Sequence, residues 1–175
     1  MIDLQVLTSQ NRYQVDEEKI VKLGNTLLNY LGMDKKELSL LIVDDSQIRE
    51  LNKEYRGKDK ATDVLSFPQF EWESPLISGE KNFTPPLEPL LGDIIISLDH
   101  AEKSALSLGH SLAREFCFLM IHGLLHLCGH DHMEKEEEKL MLKEQRKILK
   151  LLEQESERKE KPLWFKCITL KKDLK

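Results

Sequence analysis

Residues 122–132 read HGLLHLCGHDH, and four of the chain's six histidines fall in this stretch. His122 and His126 are four apart, a rise of about 6 Å on an α-helix. Residues at that spacing share a face, so both imidazoles can reach one point. Gly129 offers the helix an end, because glycine tolerates the left-handed C-cap conformation. A chain that turns there brings His130 or His132 back toward the first pair. Three neutral imidazoles around one cation, with a fourth position left for water, is a catalytic zinc arrangement. One Zn²⁺ is therefore the expected cofactor. Nickel, copper and iron also accept imidazoles, which leaves another divalent transition metal open.

The offsets from His122 to His126, Gly129 and His132 match the metzincin pattern H-E-x-x-H-x-x-G-x-x-H. That register selects His132 over His130 as third ligand and leaves His130 facing the surface or a substrate. One position departs from the pattern. Where those proteases carry the glutamate that takes a proton from water, this chain has Gly123. The metal set is present and the peptidase base is absent. The segment before the pair, FCFLMI, is apolar, so the two imidazoles sit on a face expected to be buried. Buried imidazoles need partners, and a cation serves both. Cys128 lies two residues past His126, about 200° around a helix, and reads as a small core residue.

The elements that must position this cluster are legible from periodicity and punctuation. IDLQVL at 2–7 alternates as a strand does. Asp16 can cap a helix running to about Tyr30, with Ile20, Leu23, Leu27 and Leu31 on one side and Gly32 as a stop. LSLLIV at 38–43 reads as a second strand. Asp45 or Ser46 can cap a short helix carrying Ile48, Leu51 and Tyr55. DVLSF at 63–67, closed by Pro68, and GDIIIS at 92–97 complete four strands. Between them, 68–89 holds five of the six prolines and reads as an extended loop. Trp72 in that loop either stacks on a base or folds back on its own segment. Helices follow from Leu98 to about Leu108, from Ser111 into the histidine cluster, and from Met133 to about Glu160. The last has a stripe of Met133, Leu140, Met141, Ile148 and Leu152. Strands mixed with helices, then helices alone, predict an α+β fold: a mixed four-stranded sheet packed against helices, with a metzincin-like three-histidine site. The reading gives one domain over 1–160 and a tail over 161–175 whose role stays open.

Composition narrows the function classes. The chain has 175 residues, 33% of them charged, and a net charge of −5. That opposes coating of nucleic acid by bulk electrostatics but permits a local basic grip. No apolar run is long enough to span a bilayer. The opening residues lack a basic region followed by an apolar core, so no secretion signal is expected. Three cysteines without a C-x-x-C point to free thiols in a reducing compartment.

Three blocks together carry a family likeness: HGLLHLCGHDH, LNKEYRGKDKATDVLSFP, and GDIIIS with LGHSLAREF. Over roughly 35–150 the chain resembles the YbeY family, bacterial metal-dependent endoribonucleases of ribosomal RNA maturation. His130 stands where that family often has tyrosine, and nothing after about residue 160 matches it. The resemblance implies His122, His126 and His132 as metal ligands and Arg56 as the arginine needed for activity. It implies a single-strand-specific endoribonuclease acting at the 3′ end of small-subunit ribosomal RNA and in ribosome quality control. RNA and the small ribosomal subunit would be its partners, with no membrane and no DNA, in the cytoplasm. The alternatives are a non-enzymatic assembly factor with a structural metal, and a metallopeptidase.

The residues themselves fit that chemistry. A guanidinium at Arg56 presents a planar fork matching two phosphate oxygens. Lys58 and Lys60 make a basic loop beside it, either solvated or touching the RNA backbone. Asp131 either orients a ligand imidazole or caps the helix that follows. His100 and His110 read as structural.

Overall fold

The structure, a computed structural model, describes residues 1–8, 12–77, 87–131, 134–157 and 164–173. In chain order the strands are β1 (Ile2–Val6), β2 (Tyr13–Val15), β3 (Glu37–Val43), β4 (Val64–Pro68), β5 (Leu90–Ser97) and β6 (Ile168–Leu170). The helices are α1 (Glu17–Tyr30), α2 (Asp45–Arg56), α3 (Leu98–Leu108), α4 (Leu112–Leu127) and α5 (Lys135–Glu157). One sheet has the order β1-β3-β5-β4. Its first three strands are parallel, and β4 runs antiparallel to β5 at the edge. A separate pair joins β2 to β6. The expected α+β class and mixed four-stranded sheet are both present.

Strands covered on two faces read as continuous apolar runs. In β3, Leu38, Leu40 and Ile42 enter the large core under α1, α4 and α5, while Val43 turns to the opposite face with Ile48 of α2. In β5, Ile94 and Ile96 point to the large core and Ile95 to the small one. Helix α4 is the most enclosed helix: Phe116, Met120, Leu124 and Leu125 are fully buried. Each such side chain contributes about 1.5–3 kcal/mol on burial, so the helix carrying the histidines is fixed by the core itself. From α5, Met141, Ile148 and Leu152 reach this core as their spacing predicts. Leu140 is half-buried, and Met133 lies outside the described residues.

Capping explains where the helices start. Asp16, Ser97 and Ser111 accept backbone N–H bonds from residues three further on. The cap of α2 is Asp44 rather than Asp45 or Ser46. Its carboxylate accepts from Ser46 and Gln47, and the Gln47 side chain reciprocates. Asp45 is engaged elsewhere. It accepts from Ser97 Oγ at 2.7 Å, from Lys103 Nζ at 2.6 Å and from His100 Nδ1, tying α2 to α3. His100 is thus structural, as expected.

The C-terminal segment docks. β6 pairs with β2, Asp16 N–H donates to the Cys167 carbonyl, and Cys167 and Ile168 are buried in the main core. Among the described residues no helix is long and apolar enough to cross a membrane.

Candidate active site

His122 and His126 project from one face of α4, half-buried, with their Nε2 atoms 3.1 Å apart. Nδ1 of His126 lies 2.8 Å from the backbone carbonyl oxygen of His130. A carbonyl only accepts, so His126 carries its proton on Nδ1 and turns the Nε2 lone pair toward His122. That is the tautomer of a metal-ligating histidine. Two Zn–N bonds of about 2.0–2.1 Å at a tetrahedral angle place their nitrogens about 3.4 Å apart, close to the separation here. The donor pair therefore fits a zinc ion. The third expected ligand, His132, lies outside the described residues, and among those described no cluster of three metal-binding side chains occurs.

The turn that presents the His130 carbonyl is built by Gly129 and clamped by the loop after β4. Gly129 has φ +85°, and a Cβ there would lie 2.6 Å from Cβ of Trp72. Both the conformation and the space therefore demand glycine. The Trp72 indole donates to the Leu127 carbonyl at 2.7 Å, satisfying an acceptor at the end of α4. Trp72 meets Phe70 of its own segment, as one of its two expected roles has it, but its indole is anchored on the end of α4, a long-range contact outside that expectation. The Leu76 N–H donates to the Cys128 carbonyl at 3.0 Å.

His130 departs from expectation. It is buried, with Nε2 2.6 Å from the Leu76 carbonyl oxygen. Burial lowers its pKa, against the opposing pull of the Leu76 carbonyl and Glu144. The proline-rich loop covers it, and that covering is a long-range event with no local signature. Asp131 follows at the surface. Cys128 is a core thiol, as expected, pushed up to about 12 by burial.

Gly123, where a protease would carry glutamate, has a packing reason. A Cβ there would sit 2.9 Å from Cγ2 of Ile94 and 3.1 Å from Oγ of Ser66. The helix lies directly on β4 and β5 at this point, and no side chain fits between. Ser66 also connects the site to Arg56. The Arg56 guanidinium donates to the Ser66 carbonyl at 3.3 Å and lies 5.8 Å from the centre of the Phe67 ring. The guanidinium and the histidine helix thus meet on two sides of one residue. Arg56 ends α2, where Gly57 in the left-handed region turns the chain. In the loop that follows, Asp59 pairs with Arg49 and Lys53, while Lys58 and Lys60 are exposed without ion-pair partners among the described residues. The buried Asn52 anchors the loop by donating to the Lys60 carbonyl at 2.8 Å.

The free edge of β4 is blunted. Bonds from Ser97 N–H to the Asp63 carbonyl and from Gln69 N–H to the Leu91 carbonyl show that odd-numbered residues pair with β5, so Val64, Ser66 and Pro68 face outward. The Val64 N–H is taken by the Asp63 carboxylate at 2.8 Å, the Ser66 carbonyl by Arg56, and Pro68 has no N–H. An incoming strand finds half of the outward backbone groups of this edge occupied or missing.

Two residues near the site were not singled out in the sequence: Ser66 and Glu115. Glu115 is buried on α4, 3.1 Å from Nε2 of His110. Burial raises its pKa and Asp63 adds to the rise, while His110 and Arg114 oppose it. Its signal was the seven-residue spacing to His122, two turns along the same face.

A compact α+β domain that lays a paired-histidine helix on a mixed sheet, with an arginine at the sheet edge, has known counterparts. A family model described as Endoribonuclease YbeY matches residues 5–153. An Endoribonuclease YbeY from Aquifex aeolicus is 45% identical over 139 residues, covering 79% of this chain and 85% of that protein. One from Caldicellulosiruptor saccharolyticus is 41% identical over 148 residues, covering 82% and 93%. A solution structure of a Thermotoga maritima protein superposes with a TM-score of 0.55 at 25% identity, covering 84% of this chain and 87% of that one. The chain belongs to the YbeY endoribonuclease family. The family match ends before β6, so the strand that completes the core lies outside it.

Proposed function

We propose that this protein is a metal-dependent endoribonuclease that cuts single-stranded RNA, working on the 3′ end of small-subunit ribosomal RNA and in ribosome quality control in the cytoplasm. The observation that carries the reading is the His122–His126 pair, with Nε2 atoms 3.1 Å apart on the helix packed against Ser66, whose carbonyl holds Arg56. The family's name supplies the reaction class.

His122, His126 and His132 would hold the ion. Zinc chemistry there is that of a Lewis acid that makes water a nucleophile near neutral pH. The protein's own groups do the rest. The His130 carbonyl fixes the His126 tautomer. Arg56 donates to phosphate oxygens as charge develops on them, and its fork suits two oxygens at once. Lys58 and Lys60 extend a basic path along the RNA backbone. Position 123 is glycine where the protease pattern has its base, and the outer edge of β4 has two of its backbone groups engaged and a third missing, which weakens the ladder on which an extended peptide would lie. Both features weigh against a peptidase.

The test is metal analysis combined with cleavage of single-stranded RNA and of casein by wild type, His122→Ala and Arg56→Ala. Wild type should bind one metal and cut RNA alone. His122→Ala should lose both properties, and Arg56→Ala should keep the metal and lose cleavage by about a hundredfold or more. Casein cleavage that disappears with His122→Ala would establish a peptidase instead. Ribosomal RNA processing that survives Arg56→Ala would favour an assembly factor with a structural metal.

A further inference from the structure

On the face of the sheet opposite α4, a groove of about 360 Å³ opens beside α2. Its floor is Leu41 and Ile95, and its aromatic end is Tyr55 of α2 with Phe67 of β4. Tyr55 is 61% exposed, and its ring lies 5.3 Å from that of Phe67, tilted by 58°. Strand register places Phe67, Asp93 and Ser39 in one row on this face: Phe67 pairs with Asp93, and Asp93 with Ser39. Asp93 and Ser39 are half-buried, and among the described residues nothing bonds to the Asp93 carboxylate. This half-buried carboxylate beside an apolar floor keeps its acceptor positions open to whatever enters the groove.

Arg56 sets what reaches the groove. Its guanidinium stands over Phe67 at the groove's end, and on the reading above it holds an RNA phosphate. The nucleotide attached to that phosphate has its base within reach of the aromatic pair. Asp93 repels a second phosphate, so a base enters and the backbone stays outside. A carboxylate offers acceptors only. Among the four RNA bases, guanine alone presents two adjacent N–H donors, N1–H and the N2 amino group, to two carboxylate oxygens. A base can enter only when unstacked from its neighbours, which agrees with a single-stranded substrate.

We infer that the groove between α2 and the sheet is a guanine-binding subsite for the RNA, with Tyr55 and Phe67 stacking the base and Asp93 reading its Watson–Crick edge. The inference rests on RNA being the substrate, and it adds a base preference that neither the metal nor Arg56 can supply.

The test uses short fluorescent single-stranded RNAs that carry one guanosine, or inosine in its place, which lacks the N2 amino group. Binding is read by anisotropy and cleavage in parallel, with the metal-loaded protein. Wild type should bind the guanosine strand about tenfold more tightly than the inosine strand. Asp93→Asn should abolish the difference, and Tyr55→Ala should weaken both strands by about tenfold. Equal affinity of wild type for the two strands, or an Asp93→Asn protein that keeps the preference, overturns the subsite; a groove serving a protein partner gives the former result. Preferential binding without cleavage sustains the subsite and sinks the nuclease reading, so the two failures are distinct.

Discussion

Nδ1 of His126 is held 2.8 Å from the carbonyl oxygen of His130, four residues further along the chain. The imidazole is oriented by backbone, and the backbone is oriented by Gly129 at φ +85° under the Trp72 ring. Replacing Gly129 by alanine strains that conformation and pushes Trp72 away, with every histidine still present. The expected result is a zinc affinity lowered by about ten- to a hundredfold, measured by competition with a chromophoric chelator. Unchanged affinity would mean that the turn does not set the ligand geometry.

Gly123 gives a second prediction. Alanine there meets Ile94 and Ser66 at 2.9 Å and 3.1 Å. Overpacking costs about 1–3 kcal/mol, and the gain in helix propensity returns about 1 kcal/mol. Gly123→Ala should therefore unfold at lower denaturant with an unchanged slope. Gly123→Glu, which recreates the protease pattern, should be destabilised further and yield no casein cleavage. A stable Gly123→Glu protein with peptidase activity would show that packing does not exclude the base.

Asp45 makes a pH-dependent prediction. Burial raises its pKa, but hydrogen bonds from Lys103, His100 and Ser97 outweigh burial and hold it below the ordinary carboxylate range. A carboxyl whose folded pKa is depressed binds fewer protons folded than unfolded. Its contribution is therefore complete above the ordinary value of about 3.9 and is lost as pH falls through the lower folded value. Asp45→Asn should cost about 1–3 kcal/mol at pH 7, and the gap from wild type should close on acidification below about pH 4. Denaturant titrations at several pH values read this directly. A gap independent of pH would assign the cost to packing.

Ile168 tests the docked C-terminal segment. It is buried at 1% exposure in the main core although it lies beyond the family match. Ile168→Ala should destabilise by about 2–5 kcal/mol, and Lys172→Ala, exposed nearby, by less than about 0.5 kcal/mol. Equal, small effects would mean that the strand rests on the core without supporting it.

What the sequence disclosed, and what it withheld, divides by range. Asp16 is readable as a cap because a cap is a contact across three residues. His122 and His126 were readable as a pair because helix geometry converts spacing into direction. Asp44 and Asp45 are indistinguishable as caps from sequence because both side chains can cap, and only the tertiary partners of Asp45 show that its carboxylate is engaged. The strands β2 and β6 were missed because each has three residues and no periodicity of its own; Gln14 and Thr169 become neighbours only through the fold. The burial of His130 has no local signal, because its cover, Leu76, comes from a segment more than fifty residues earlier.

The β2–β6 pairing has a temporal consequence. Its two strands are separated by about 150 residues. At synthesis rates of about 5–20 residues per second, roughly 8–30 seconds pass between them. Helix α4, against which β6 packs, is complete only at residue 127, so for the last stretch of that interval the hollow that Cys167 and Ile168 will fill stands open with its apolar lining uncovered. A chain stalled before residue 168 would hold its histidine helix in a scaffold not yet latched, so assembly of the catalytic half precedes its final locking.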